Sequence, residues 1–207
     1  MKNIQDKQIS FLIKPALFVL CLLPFIFLFW QALNDGLGTN PVETLSHETG
    51  QWALRFLLIT LCVTPLRQMF KINWLIKLRR MLGLFAFFYA TLHFISYVWL
   101  DQFFDWREIL IDIPKRPFIT IGFVAFVLLI PLAVTSTNAM QRRLKKKWKQ
   151  LHRLVYIIPV LVIIHFIWSL KADYTEPFIY AAVFFVLMVM RSTRAERKAG
   201  EKKALQI

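Results

Sequence analysis

A chain of 207 residues that is 57% hydrophobic, with mean hydropathy +0.53, is too apolar for an ordinary soluble domain and reads as a membrane protein. The net charge of +14 does not point to nucleic acid, because the cations sit in short blocks between apolar stretches, where membrane topology accounts for them. Cys21 and Cys62 lie inside apolar stretches with no CxxC or Cys/His pattern, so no disulfide is expected and both read as small buried hydrophobes.

In chain order, Lys2, Lys7 and Lys14 precede an apolar run. That run is longer than a signal-peptide core and lacks a clear small-residue cleavage site, so it reads as a retained first span over Phe11–Leu33. The segment from Asn34 to Pro41 carries glycine, proline and asparagine and is a loop. Further spans are expected over Gly50–Pro65, Met81–Leu100, Pro117–Val134, Leu151–Leu170 and Pro177–Met190, the last extended at both ends. Each approaches the about 20 residues that a helix needs to cross a bilayer. Lipid cannot satisfy an open backbone, so the fold class is an all-α membrane protein, a six-transmembrane-helix bundle. Residues 1–14 form an N-terminal segment, 15–191 the helical domain and 192–207 a charged tail; the stretch from Arg191 to Ile207 is expected to fray. No internal repeat stands out.

Charge sets the orientation. Basic residues fill the N-terminal segment, the second connection (Arg67, Lys71, Lys77, Arg79, Arg80), the fourth (Arg142 to Arg153) and the tail. Acids fill the alternate connections: Asp35, Glu43 and Glu48, then Asp101, Asp105, Glu108 and Asp112, then Asp173 and Glu176. The positive-inside rule therefore places both termini in the cytoplasm and makes the protein multi-pass.

Histidines carry the functional signal. His93 lies in the third span, seven residues before Leu100, and His165 in the fifth, five before Leu170. Both spans run outward, so the two imidazoles sit at matched depth, about 8–10 Å below the outer ends. An ionisable residue inside a span is a functional-site hypothesis. Three readings stand: bis-histidine ligation of a haem iron between helices, a proton relay in a small ion-coupled transporter, or two neutral histidines hydrogen-bonded to their neighbours. Gly83, Ala86 and Ala90 leave room for a flat ring or for close helix approach.

His152 is thirteen residues before His165, about 20 Å along a helix. On an ideal helix the two point roughly 140° apart, although Pro159 between them can rewind the turn. The matching position before His93 is Arg80, beside Arg79. His152 either touches a propionate, a flavin phosphate or a quinone, or sits exposed in a basic loop. Arg55, within the second span, either holds a haem propionate or snorkels to the outer interface. His47, beside Glu48, is expected to be solvated in an outer loop. The basic block around Trp148 suits anionic lipid, an acidic cytoplasmic protein or a flavin phosphate. There is no GxGxxG, P-loop or HExxH, and hence no obvious NAD(P)H site. A third class, a structural membrane anchor, predicts that His93 is dispensable.

The segments Thr49-Gly50-Gln51-Trp52-Ala53-Leu54-Arg55, Thr64-Pro65-Leu66-Arg67, Arg79-Arg80-Met81-Leu82-Gly83-Leu84 with Tyr89 and His93, Thr135-Ser136-Thr137-Asn138, Trp148 to Tyr156, and His165 occur in an order that resembles the ferric-reductase-like transmembrane family. Within it, the chain is similar to the haem-binding membrane subunits of bacterial protein-methionine-sulfoxide reductase systems, over about Pro15 to Arg191. The resemblance implies a six-helix cytochrome b in the bacterial inner membrane, with His93 and His165 matching the family's haem b histidines and His152 a further family histidine. It implies FMN as a second cofactor. Electrons would come from a cytoplasmic flavin reductase or membrane quinol. They would pass to a periplasmic molybdopterin enzyme that reduces methionine sulfoxide, with this chain the electron-transfer rather than the catalytic subunit. Two-haem relatives carry paired histidines on both helices; Arg79/Arg80 replaces one here, so one firmly held haem is expected.

Overall fold

The computed structural model of the chain describes residues 9–204, with side chains described over residues 11–193. Its regular helices are α1 (Lys14–Leu33), α2 (Pro41–Met69), α3 (Arg79–Ile95), α4 (Trp106–Lys115), α5 (Pro117–Val134), α6 (Asn138–Leu144), α7 (Lys146–Leu151), α8 (Ile158–Ser169) and α9 (Thr175–Ala204). Among the described residues, six helical segments are long and apolar enough to cross a membrane: Phe11–Leu33, Pro41–Met69, Arg79–Asp101, Pro117–Val134, Lys146–Ser169 and Thr175–Thr193. The protein is an all-α, six-span membrane protein.

Three boundaries differ from the sequence reading for local reasons. The second span begins at Pro41, not Gly50, because Asn40 caps the helix by accepting from the Glu43 N–H and Pro41 occupies the first turn, where no N–H is needed. Two polar turns thus join an apolar span, and His47 is a half-buried helical residue, its ring 6.5 Å from that of Phe166, rather than a solvated loop residue. The fifth span is not one helix: a 3₁₀ stretch over His152–Tyr156 separates α7 from α8, and Pro159 then sits in the first turn of α8. The ideal-helix angle between His152 and His165 therefore does not apply. The polar stretch after Arg191, expected to fray, continues as helix to Ala204, and residues 205–207 lie outside the described range.

The connection between the third and fourth spans holds a helix that the sequence reading passed over. Asp105 caps α4 by accepting from the Arg107 and Glu108 N–H groups. On its inner face Asp112 is buried, paired with Arg116 at 2.8 Å and accepting from the Tyr97 hydroxyl at 3.1 Å.

The bundle is built from two antiparallel hairpins. α2 packs most extensively on α3, and α5 on α8; α3 then meets α5, and α9 lies along α2 and α8. Small side chains allow the approach: Ala86 and Ala125 are almost fully buried, and Gly83 lies against the Thr60 methyl. Phe126 of α5 stacks between Phe87 and Phe94 of α3, with ring centres 5.9 and 4.8 Å away. Cys21 is buried and Cys62 half-buried, both as free thiols. The outward faces carry exposed Phe18, Leu20, Phe27, Trp30, Val127, Phe178 and Phe185, as a surface solvated by acyl chains requires.

Tyr89, fully buried on α3, ties α1 to the core. Its hydroxyl donates to the Cys21 carbonyl at 2.8 Å and accepts from the Phe25 N–H at 3.1 Å. Those two groups are one helical turn apart and flank Pro24, which itself supplies no N–H. Tyr89→Phe removes both of these hydrogen bonds, while the Cys21 carbonyl and the Phe25 N–H, four residues apart on α1, can still pair with each other, so the cost is about 0.5–1.5 kcal/mol. The expected outcome is a lower thermal unfolding midpoint in detergent, with helix content before the transition unchanged.

Candidate functional site

His93 leaves α3 near its end, just before the helix widens to a π-type turn over Ser96–Asp101. Its Nδ1 lies 2.8 Å from the Ser46 carbonyl oxygen on α2, with the Ser46 hydroxyl at 3.4 Å. His165, on α8, places Nδ1 2.7 Å from the Phe118 carbonyl oxygen in the first turn of α5. A carbonyl only accepts, so each Nδ1 carries the proton and each Nε2 keeps its lone pair. The two rings, one from each hairpin, come together in an edge-type arrangement, 6.0 Å between centres and 70° between planes. The Phe118 ring lies alongside His165, 6.3 Å between centres and 29° between planes. Neutral imidazoles with one nitrogen anchored and the other free are what a metal ion of moderate softness binds.

The structure brings His93 and His165 together and leaves the other candidate residues elsewhere. His152 stands at the opposite end of the fifth span, its ring stacked on Trp148 with centres 3.9 Å apart and its Nε2 3.1 Å from the Thr135 hydroxyl. The Trp148 indole N–H donates to the Thr135 carbonyl at 2.9 Å, locking the stack in place. Arg80 donates to the Asn138 side chain at 3.0 Å and so joins the basic ends of the two hairpins. Arg79 lies within electrostatic reach of Tyr156, Arg191 and His152. Arg191 holds its guanidinium 4.8 Å from the Tyr156 ring centre, with Nη1 buried and, among the described residues, without a hydrogen-bond partner. Arg55 is committed to protein: it donates to Tyr180 at 2.8 Å and to Gln51, approaches Glu48 at 4.0 Å, and lies 4.7 Å over the Trp52 ring. Among the described residues, no group of three or more His, Cys, Asp or Glu side chains stands close enough together to hold a metal ion.

Sequence reasoning missed two residues at the paired histidines. Gly50 and Gly122 lie directly against the His93 and His165 rings. Each glycine comes one turn after the carbonyl that its histidine uses, and the interval from carbonyl residue to histidine is 47 in both hairpins. The absence of an internal repeat therefore does not survive at the level of structure. The signal was present in the sequence as Gly50 and His93-Phe94-Ile95 matched by Gly122 and His165-Phe166-Ile167.

The family model described as ferric reductase like transmembrane component matches residues 49–164, which begin beside Gly50 and end beside His165. A Herminiimonas arsenicoxydans protein named protein-methionine-sulfoxide reductase heme-binding subunit MsrQ is 53% identical over 197 residues, covering 94% of this chain and 90% of its own. The chain belongs to the MsrQ family of ferric reductase like transmembrane components. Family members of the same printed name from Polaromonas naphthalenivorans and Xanthomonas oryzae are 47% and 49% identical, covering 94% and 82% of this chain and 92% and 82% of their own. No solved structure matches the chain. The matched family segment contains Gly50, His93, Phe118 and Gly122, and stops short of Ser46 at one end and His165 at the other.

The Trp148 stack shields His152, so Trp148→Ala exposes its ring. The expected outcome is faster carbethoxylation of His152 by diethyl pyrocarbonate, followed by peptide mass mapping, with the rates at His93 and His165 unchanged.

Proposed function

We propose that the chain is a haem b electron-transfer subunit in which His93 and His165 would hold the haem iron. The observation that carries this reading is the opposed pair of imidazoles, each with Nδ1 tied to a carbonyl and Nε2 left as a lone-pair donor. Metal–imidazole bonds are about 2 Å long, so two rings on opposite sides of one metal ion stand about 6 Å apart centre to centre. The rings here are 6.0 Å apart, which fits. Haem held by two imidazoles would supply one-electron transfer there. The protein's part is positional. The Ser46 and Phe118 carbonyls hold each ring in one tautomer and raise the basicity of its free nitrogen. The apolar walls of the bundle, including Phe118, keep the site low in dielectric.

The wider reading goes beyond the relatives' printed names, which give a heme-binding subunit of a protein-methionine-sulfoxide reductase, and rests on the family resemblance of the sequence. The chain passes electrons from a cytoplasmic flavin reductase or the membrane quinol pool to a periplasmic molybdopterin methionine-sulfoxide reductase that repairs oxidised proteins. It does so from the bacterial inner membrane with both termini cytoplasmic, an orientation supported by the alternation of basic and acidic connections. FMN is the second cofactor, at the basic end. The buried Nη1 of Arg191, without a hydrogen-bond partner among the described residues and within electrostatic reach of Arg79, supports this, because a phosphate offers the acceptor oxygens that a guanidinium requires. Arg80 and His152 complete that cationic face. Arg55 braces the outer wall through Glu48, Gln51 and Tyr180.

Absorption spectra of the purified protein, oxidised and then reduced, test the reading. Wild type is expected to show a low-spin b-type haem, and His93→Ala or His165→Ala to lose it; a variant that keeps the full spectrum refutes the ligand assignment. Colourless wild-type protein with uptake driven by a pH gradient would favour the ion-coupled relay instead. Arg55→Met is expected to lower thermal stability by about 1–3 kcal/mol while leaving haem per protein unchanged. A parallel fall in haem would place Arg55 on the cofactor.

A further inference from the structure

Two ligand rings 6.0 Å apart must be held in direction as well as in place. Around each ring the backbone is built in the same way. In the first hairpin Ser46 offers its carbonyl, Gly50 follows one turn later on α2, and His93 comes across from α3. In the second hairpin Phe118 offers its carbonyl, Gly122 follows on α5, and His165 comes across from α8. On a helix, the side chain at i+4 stands on the same face as residue i, beside its carbonyl. Glycine there uncovers the carbonyl, so that an imidazole from the partner helix reaches it edge-on.

The clearances are tight. A Cβ placed on Gly50 would lie 3.2 Å from both Nδ1 and Cε1 of His93, and one placed on Gly122 would lie 2.8 Å from the same atoms of His165. A Cβ on Gly83, also on a spanning helix, would meet only the Thr60 side chain, its methyl at 3.6 Å and its hydroxyl oxygen at 4.0 Å. The imidazoles therefore leave little room for a side chain at Gly50 and none at Gly122, whereas a methyl group at Gly83 makes only ordinary contact.

We infer that Gly50 and Gly122 are positioning residues, one device used twice, which aim the two opposed imidazoles along a common axis by keeping the Ser46 and Phe118 carbonyls open to them. This rests on the haem reading above, because the common axis has a purpose only if one metal ion lies on it. The two copies are unequal. At Gly50 the His93 ring accommodates a methyl group by a shift of a few tenths of an ångström. At Gly122 the ring must move outright, and the Phe118 ring on its flank limits where it goes. The second hairpin is thus the less forgiving half of the site.

The test compares full-length Gly122→Ala, Gly50→Ala and Gly83→Ala with wild type, purified in the same detergent. The readouts are haem per protein, electron paramagnetic resonance g-values of the oxidised form and the midpoint potential. For Gly122→Ala the expected result is about tenfold weaker haem retention, as for loss of a partner that orients a metal ligand, with shifted g-values in the haem that remains. For Gly50→Ala it is near-normal haem content with a smaller g-value shift. Gly83→Ala should match wild type, and a role confined to folding would lower yield without moving g-values. If Gly122→Ala does not accumulate, the g-values of Gly50→Ala decide. Wild-type haem content, g-values and potential in both substituted ligand-side variants overturn the inference while leaving the haem reading intact. A wild-type protein without haem removes that reading itself.

Discussion

Two hydrogen bonds between side chain and backbone organise this membrane protein: His93 to the Ser46 carbonyl and His165 to the Phe118 carbonyl. In a low-dielectric interior an imidazole without a partner is costly, and one with both nitrogens satisfied by protein has nothing to offer a metal. Anchoring Nδ1 and freeing Nε2 resolves both demands at once. Each bond also joins the two helices of one hairpin, so the contact that prepares the site also helps to hold the fold.

The bilayer explains why the site is built from hairpins. Apart from groups beside a proline such as Pro24, the backbone within a span is committed to its own helix, so second bonds to carbonyls are available only where a partner side chain comes close. Glycine at Gly50 and Gly122 provides that closeness, as the small residues Ala86, Gly83 and Ala125 do elsewhere between helices. The hairpins diverge away from the paired histidines. At the basic end the second hairpin carries His152, held by Trp148 and Thr135, whereas the first carries Arg80, bonded to Asn138. The same framework thus presents two opposed imidazoles at one end and a cationic face at the other.

Much of this was legible in the residues. The Pro117–Val134 span was read to its boundaries, because an uninterrupted apolar run bounded by polar residues has one sensible solution in lipid. The matched depth of His93 and His165 followed from counting residues along two parallel spans. Other features were not legible. His47 read as solvated because the first turns of α2 are polar, yet an Asn40 cap and Pro41 extend the helix through it. Helix α4 was overlooked because its amphipathic pattern is too short to resemble a span. His152 could not be oriented relative to His165, since a 3₁₀ stretch interrupts the helical phase between them.

The order of residues by itself determined the number of spans, their alternation of charge and the depth of each histidine. Those are one-dimensional properties, and lipid reads them one helix at a time. Tertiary structure alone decided that the two rings come together, that carbonyls on neighbouring helices hold them, and that two glycines stand where a methyl group would collide. Each of those depends on the rotation of one helix against another, which is set by packing between residues 47 apart in the chain and not by the pattern within any single span.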